Sequence, residues 1–275
     1  MIEFPGSYSV NSIADWAEFY VIYERKILSK SMMLSLLQTV YCDLREEDID
    51  SVISELIRRR SLYGETSPFD VKGQDITPKV KWKDRPELAM CLIFSLYGVQ
   101  KERGKNDGTK LFERLSSEAI KLYLGGKSEV IGFPNQMNLE QQIHHICKRT
   151  CENVGHKSPK PTDKDKGVDI IAWKSHGDKR PNQIVLLLQC GAGANFSKKK
   201  PVCIKTWHDF VHWSARPIEG ITIPQIISAE EFDDITDSYN LVFDRVRIFR
   251  AIYNRQLSDG TLRREIFTWC KKRLD

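Results

Sequence analysis

No apolar run in this 275-residue chain approaches the roughly 18 to 20 residues needed to cross a bilayer. The opening residues Met1-Ile2-Glu3-Phe4-Pro5 carry neither a basic n-region nor an apolar h-region, so the expectation is a cytoplasmic protein with no membrane partner. CxxC pairs are absent and the seven cysteines are odd in number, which argues for reduced thiols rather than a disulfide framework. Neither a GxGxxG motif nor a Walker-type loop occurs, which removes ATP-driven translocation from this chain, though not from a partner. Internal repeats and low-complexity tracts are also missing.

What is present can build a core. Apolar residues make up 41% of the chain and aromatics 10%, enough for one large domain or two modest ones. The net charge of +5, with 29% charged residues, suits a polyanionic partner without requiring one.

Residues 11–63 have helical spacing, through Ile13, Trp16, Ala17, Tyr20 and Val21, then Met33, Leu36, Leu37 and Val40, then Ile49, Val52, Ile53, Leu56 and Ile57. Ser12 and Asp15 are candidate N-terminal caps for the first helix. Residues 64–86, with Gly64, Pro68, Gly73, Pro78 and Pro86, read as a linker or irregular loop. Helical spacing resumes from Pro86 and again from Leu111 to Leu124, where Gly125-Gly126 ends it. In the second half a helical stretch from Leu139 to Val154 precedes two apolar runs, Gly167 to Trp173 and Gln183 to Cys190, which read as strands joined by a turn-rich segment. Further strands are expected near residues 218–227 and 241–243, and a last helix over residues 263–273.

Each of the two apolar runs is interrupted by one oxygen-bearing side chain, Asp169 in the first and Gln189 in the second. Phosphodiester hydrolysis needs a metal ion to activate water and neutralise developing charge, and hard oxygen donors on adjacent strands can hold Mg²⁺. Asp169 is the first candidate ligand. An amide such as Gln189 at the end of a buried strand must find partners, structural or metallic. The small residues Gly191, Ala192, Gly193 and Ala194 permit close backbone approach, and Lys198, Lys199 and Lys200 follow within one loop, either as a solvated basic loop or as phosphate contacts. Asp244-Arg245-Val246-Arg247 reads equally as a nucleic-acid contact or an ion-paired helix start.

These residues resemble the PD-(D/E)xK, or restriction-endonuclease-like, nuclease superfamily over about residues 135–210. In that pattern a helix bearing a glutamate precedes the strand of the metal-binding aspartate, and the next strand carries (D/E/Q)-x-K. Leu139-Glu140 opens the candidate helix, Val168-Asp169 fits the first strand, and Gln189 stands in the second acidic position, as in the Mrr-like variant. The departure is Gly191, two residues after Gln189, where the lysine is expected; Lys198, Lys199 or Lys200 can replace it by migration. Glu140 either helps hold the metal or only begins a helix, where negative charge is favoured in any case.

The resemblance implies an α/β protein: a helical N-terminal region, residues 1–130, followed by a restriction-endonuclease-like domain, residues 131–275, with a mixed β-sheet flanked by helices. It implies a metal-dependent DNA endonuclease using Mg²⁺ (or Mn²⁺), with Asp169 and Gln189 as metal ligands, Glu140 and Lys199 as catalytic residues, and Lys198, Lys200 and Arg245 as nucleic-acid contacts. It further implies a role in prokaryotic anti-phage defence with DNA and a protein partner, homo-oligomerisation being left open. The competing expectation is a catalytically decayed nucleic-acid-binding or assembly subunit, motivated by Gly191.

A zinc alternative also exists, because His144, Cys147 and Cys151 fall on one helical face. Crowding on a single helix favours core packing for the two cysteines instead.

Overall fold

The computed structural model describes all residues except 1, 7, 100–106, 132–136, 194–195 and 275. The expected helical stretch over residues 11–63 resolves into α1 (Val10–Glu24), a short strand β1 (Leu28–Ser29), α2 (Lys30–Gln38) and α3 (Glu46–Tyr63). Ser9 caps α1, not Ser12 or Asp15: its hydroxyl accepts from Ser12 N–H at 3.0 Å, and the Ser12 hydroxyl accepts from Ser9 N–H, which closes a capping box. Asp15 instead points into the protein interior.

The stretch read as a linker contains a hairpin, β2 (Phe69–Lys72) and β3 (Asp75–Pro78), which joins β1 in a three-stranded antiparallel sheet. Gly73 at φ +62° opens the two-residue turn, so the glycine marks a hairpin rather than a break. Buried Phe69 and Ile76 anchor the hairpin in the core.

The chain continues through α4 (Pro86–Tyr97), α5 (Asp107–Leu124), β4 (Lys127–Val130), α6 (Leu139–Thr150), β5 (Asn153–Val154), β6 (Ile170–Lys174) and β7 (Ile184–Cys190). It then forms α7 (Ile204–Phe210), β8 (Val211–His212), β9 (Ile218–Thr222), α8 (Phe232–Tyr239), β10 (Leu241–Phe243), α9 (Arg245–Ile252) and α10 (Leu262–Leu274). α6 ends earlier than its helical spacing suggests, because Cys151 turns left-handed at φ +62° and Asn153–Val154 pairs with β8.

The fold is α/β, with a mixed five-stranded sheet in the order β10-β9-β7-β6-β4, flanked by helices. β4, β6 and β7 are antiparallel neighbours, whereas β7, β9 and β10 run parallel. β6 and β7 lie inside the sheet and are covered on both faces, which explains why they are apolar from Ile170 to Trp173 and from Val185 to Leu188. Ile170, Ala172, Leu186 and Leu188 join the core formed with α1, α3, α4, α5, α9 and α10. Ile171, Trp173, Val185 and Leu187 face a second core with α6 and α7. Gly126 sits where any Cβ would fall 2.2 Å from the Trp173 carbonyl oxygen, a close approach that lets β4 dock directly against β6.

The hydrophobic core runs across the expected boundary at residue 130. α5 and β4, both before that boundary, cover and extend the sheet, while α9 and α10, both after it, pack against α3, α4 and α5.

A charged network crosses the same boundary and corrects the reading of Arg245 as a nucleic-acid contact. Arg245 is fully buried: its Nη2 donates to Asp15 Oδ1 at 2.6 Å and to Glu18 Oε2 at 3.0 Å, and its Nε donates to Tyr63 Oη at 3.1 Å. Arg59, also fully buried, donates to Asp15 Oδ1 at 2.5 Å and to Glu55 Oε1 at 2.7 Å. Two buried acids and two buried arginines balance one another, so no charge is left over for a phosphate.

Candidate active site

Asp169 lies immediately before β6, with its backbone already committed to both neighbours. Its N–H donates to Leu188 O at 2.8 Å and its carbonyl accepts from Ile131 N–H at 2.8 Å. Val168 and Ile171 both pack into the α6–α7 core although they are three residues apart, so the alternation of faces breaks between them. The Asp169 carboxylate comes within electrostatic reach of α5, where Glu113 and Lys110 are carried one turn apart. Its Oδ2 accepts from the Cys190 N–H at 2.7 Å, which ties it to the end of β7.

Glu113 is buried on α5, and Lys110 Nζ donates to its Oε2 at 2.7 Å. Burial chiefly, and then the carboxylates of Asp169 and Asp165, push its carboxyl up to about 7 against the pull of Lys110. The Asp169 carboxyl is also raised, again by burial first and with Asp165 adding to it, while the Cys190 N–H, Lys199 and Lys110 oppose. Two buried carboxyls, one of them raised further by the other's charge, are a place where a cation is favoured. Asp165 is positioned by a turn in which its Oδ1 accepts from Gly167 N–H at 2.9 Å and its carbonyl accepts from Val168 N–H at 3.0 Å.

The lysine loop is fastened to β7 beside this pair. Lys199 Nζ donates to the Cys190 carbonyl at 2.7 Å, and its charge lowers the Asp169 carboxyl. The Tyr239 hydroxyl, from α8, shares its proton between Phe196 O at 3.0 Å and Lys199 O at 2.6 Å. Gln189 Nε2 donates to Lys200 O at 2.8 Å, while its Oε1 is buried without a hydrogen-bond partner among the described residues. Gly167, at φ +81°, leaves the space for this amide: a Cβ there would lie 3.0 Å from Gln189 Nε2.

On β7 the side chain electrostatically coupled to Asp169 and Glu113 is Cys190. Burial, then the Asp169 charge, push its thiol well above its ordinary range, and Thr222 Oγ1 lies 3.3 Å from its sulfur. It is therefore a neutral, inert thiol. Among the described residues no three His, Cys, Asp or Glu side chains form a ready metal cage. Mg²⁺ does not need one, because it keeps several waters and uses one or two carboxylates together with phosphate oxygens. Glu113 and Asp169 fit that donor set, whereas Gln189 stands between Leu188 and Cys190, both in the core that faces α5, so its side chain leaves from the other face of β7.

Comparison with known proteins adds little to this geometry. No family model matches the chain, and no curated protein matches it. Among solved structures, the restriction endonuclease FokI is similar over 94% of this chain and 48% of that chain, with 9% identity and a TM-score of 0.22. This chain thus spans about half the length of that one.

Of the residues singled out in the sequence, Asp169 and Lys199 are brought together, with Gln189 holding the loop that carries Lys199. Lys198 and Lys200 are exposed on that loop. Glu140 is exposed in the first turn of α6, beside the capping pair Asn138 and Gln141, and does not share the surroundings of Asp169. The glutamate that does is Glu113. It lies outside the span of the resemblance, and its one sequence signal is an acid set among Leu111, Phe112 and Leu115 on the core-facing side of a helix. The zinc alternative fails on burial: Cys147 is in the core while His144 is exposed.

Proposed function

We propose that this protein is a metal-dependent DNA endonuclease whose site is formed by Glu113, Asp169, Gln189 and Lys199. The observation that carries the reading is the pair of carboxyls on α5 and just before β6, each raised by burial and Glu113 also by Asp169's charge, with the Lys199 ammonium held beside Asp169. Glu113 and Asp169 would hold Mg²⁺ or Mn²⁺, and Gln189 would hold in place the loop that carries Lys199. The bound ion supplies a more acidic water and positive charge for the phosphate oxygens. Lys199 orients the attacking water and stabilises charge on the phosphate, and the Cys190 N–H fixes the Asp169 carboxylate for its task. Lys110 neutralises Glu113 when no cation is bound. The prokaryotic defence setting, with a protein partner, rests on the resemblance to Mrr-like nucleases alone.

The test is incubation of the purified chain with supercoiled plasmid and linear DNA in Mg²⁺, Mn²⁺ or EDTA, alongside Asp169→Ala. Cutting that requires the metal and is lost in the variant supports the reading; cutting that survives Asp169→Ala sinks it. A second reading, a binding subunit without catalysis, is favoured by one observation: Cys190, a neutral thiol, stands on β7 where a third charged ligand would serve. That reading predicts DNA binding with no cutting under any of these conditions.

A further inference from the structure

A cleft of about 430 Å³ lies between α5 and α10. Five basic side chains line it, Lys110, Arg114, Arg264, Lys272 and Arg273, against one acid, Glu265. Its helical geometry is simple. On α10, Arg264, Thr268 and Lys272 follow at four-residue steps and form one stripe, and Glu265, Trp269 and Arg273 form the next. On α5, Lys110 and Arg114 are one turn apart and face that stripe.

Some of these cations are already fixed in place. Arg114 is held by Asp259, with Nη2 to Oδ2 at 2.5 Å, and by Glu265. The Arg273 guanidinium lies 3.8 Å from the Trp269 ring centroid, stacked in a cation–π contact. Trp269 in turn sits against the start of α5, where Gly108 has no room for a Cβ, so the two helices hold a fixed separation. Arg264 and Lys272 are exposed, and eight residues of helix set them about 12 Å apart along the axis. Lys110 belongs both to this cleft and to the carboxylate pair, because its Nζ is 2.7 Å from Glu113 Oε2.

We propose that the α5–α10 cleft holds the sugar-phosphate backbone of a nucleic acid and delivers it to the Glu113–Asp169 pair through Lys110. The identity of the delivered strand as substrate rests on the endonuclease reading; the binding itself does not. A row of cations open to solvent and leading to a paired carboxylate matches a repeating phosphate chain better than a compact anion. Rigid, pre-paired Arg114 and Arg273 set the walls, whereas Arg264 and Lys272 supply the exposed charge that exchanges counterions for phosphates.

The experiment is fluorescence anisotropy of a labelled 20-base-pair duplex, and of the same strand single, with full-length protein in EDTA at several salt concentrations. Arg264→Glu with Lys272→Glu is expected to weaken binding at least tenfold near 100 mM salt and to reduce the slope of log K against log salt by about two. Lys72→Glu with Lys79→Glu, on the exposed small sheet, should leave both unchanged. Arg264→Gln with Lys272→Gln serves if the charge reversal disturbs folding, which a thermal melt reports. Wild-type affinity in the cleft variants, or an equal loss in the small-sheet control, overturns the proposal. Because EDTA suppresses turnover, cleft-dependent binding without cleavage in Mg²⁺ would defeat the endonuclease reading alone, and cleavage indifferent to the cleft would defeat this proposal alone.

Discussion

Glu113 carries a free-energy cost that its position explains. Its carboxyl has an ordinary value of 4.5 and is pushed up to about 7 in the fold, chiefly by burial. The folded state therefore binds more protons than the unfolded chain between those two values, and stability must fall as pH rises through that window. The full difference corresponds to about 3 kcal/mol. Glu113→Gln is expected to abolish this loss, so that urea melts at pH 5 and pH 8 differ less in the variant than in the wild type. Added Mg²⁺ should stabilise the wild type at pH 8 and leave the variant nearly unchanged. Arg245 is the opposite case, a residue whose charge is structural. The guanidiniums of Arg245 and Arg59 hold the Asp15 carboxyl down to about 2 against the burial that would raise it. That stability is present above the ordinary value near 4 and is lost as pH falls toward 2. Arg245→Ala leaves the buried Asp15 and Glu18 with Arg59 as their one remaining cation and should cost about 3–5 kcal/mol in a denaturant titration. Its sequence context, an acid followed by two arginines on a helix start, does not reveal this, because the partners lie more than two hundred positions earlier on α1.

At the scale of elements, the lysine loop depends on α8. The Tyr239 hydroxyl and the Gln189 amide each fasten its backbone, and Lys199 reaches back to the strand it leaves. Tyr239→Phe removes one anchor at a cost of about 1 kcal/mol. On the endonuclease reading it should lower kcat with KM little changed, because it loosens the placement of Lys199 without touching the substrate surface; an unchanged kcat would count against a positioning role. The loop also shows what could be read in advance. Asp169, Gln189 and the lysine run are legible because apolar strands make any polar interruption conspicuous. Glu113 is not, since an acid on an amphipathic helix looks solvated until the sheet is built against it. The β2–β3 hairpin was hidden for a similar reason: glycine and proline mark turns in loops and hairpins alike, and only the burial of Phe69 and Ile76 distinguishes them.

Over the whole molecule, the helices of the first half are part of the scaffold on which the site is built. α5 contributes Glu113 and Lys110, β4 supplies the edge strand beside β6, and the buried Asp15, Glu18, Arg59 and Arg245 network joins α1 and α3 to α9. A fragment of residues 131–275 would expose the face of the sheet that α5 covers and lose the β4 edge. It is expected to be unfolded or aggregated by circular dichroism and gel filtration, whereas the complete chain melts as one cooperative unit. A fragment that folds independently would show that the shared core is dispensable.

The most direct test of the central claim compares two glutamates on one plasmid substrate with Mg²⁺. Glu113 lies beside Asp169, and Glu140 stands exposed at the start of α6. Glu113→Gln should abolish cleavage while Glu140→Gln cleaves like the wild type. Loss of cleavage in Glu140→Gln together with full activity in Glu113→Gln would contradict the account.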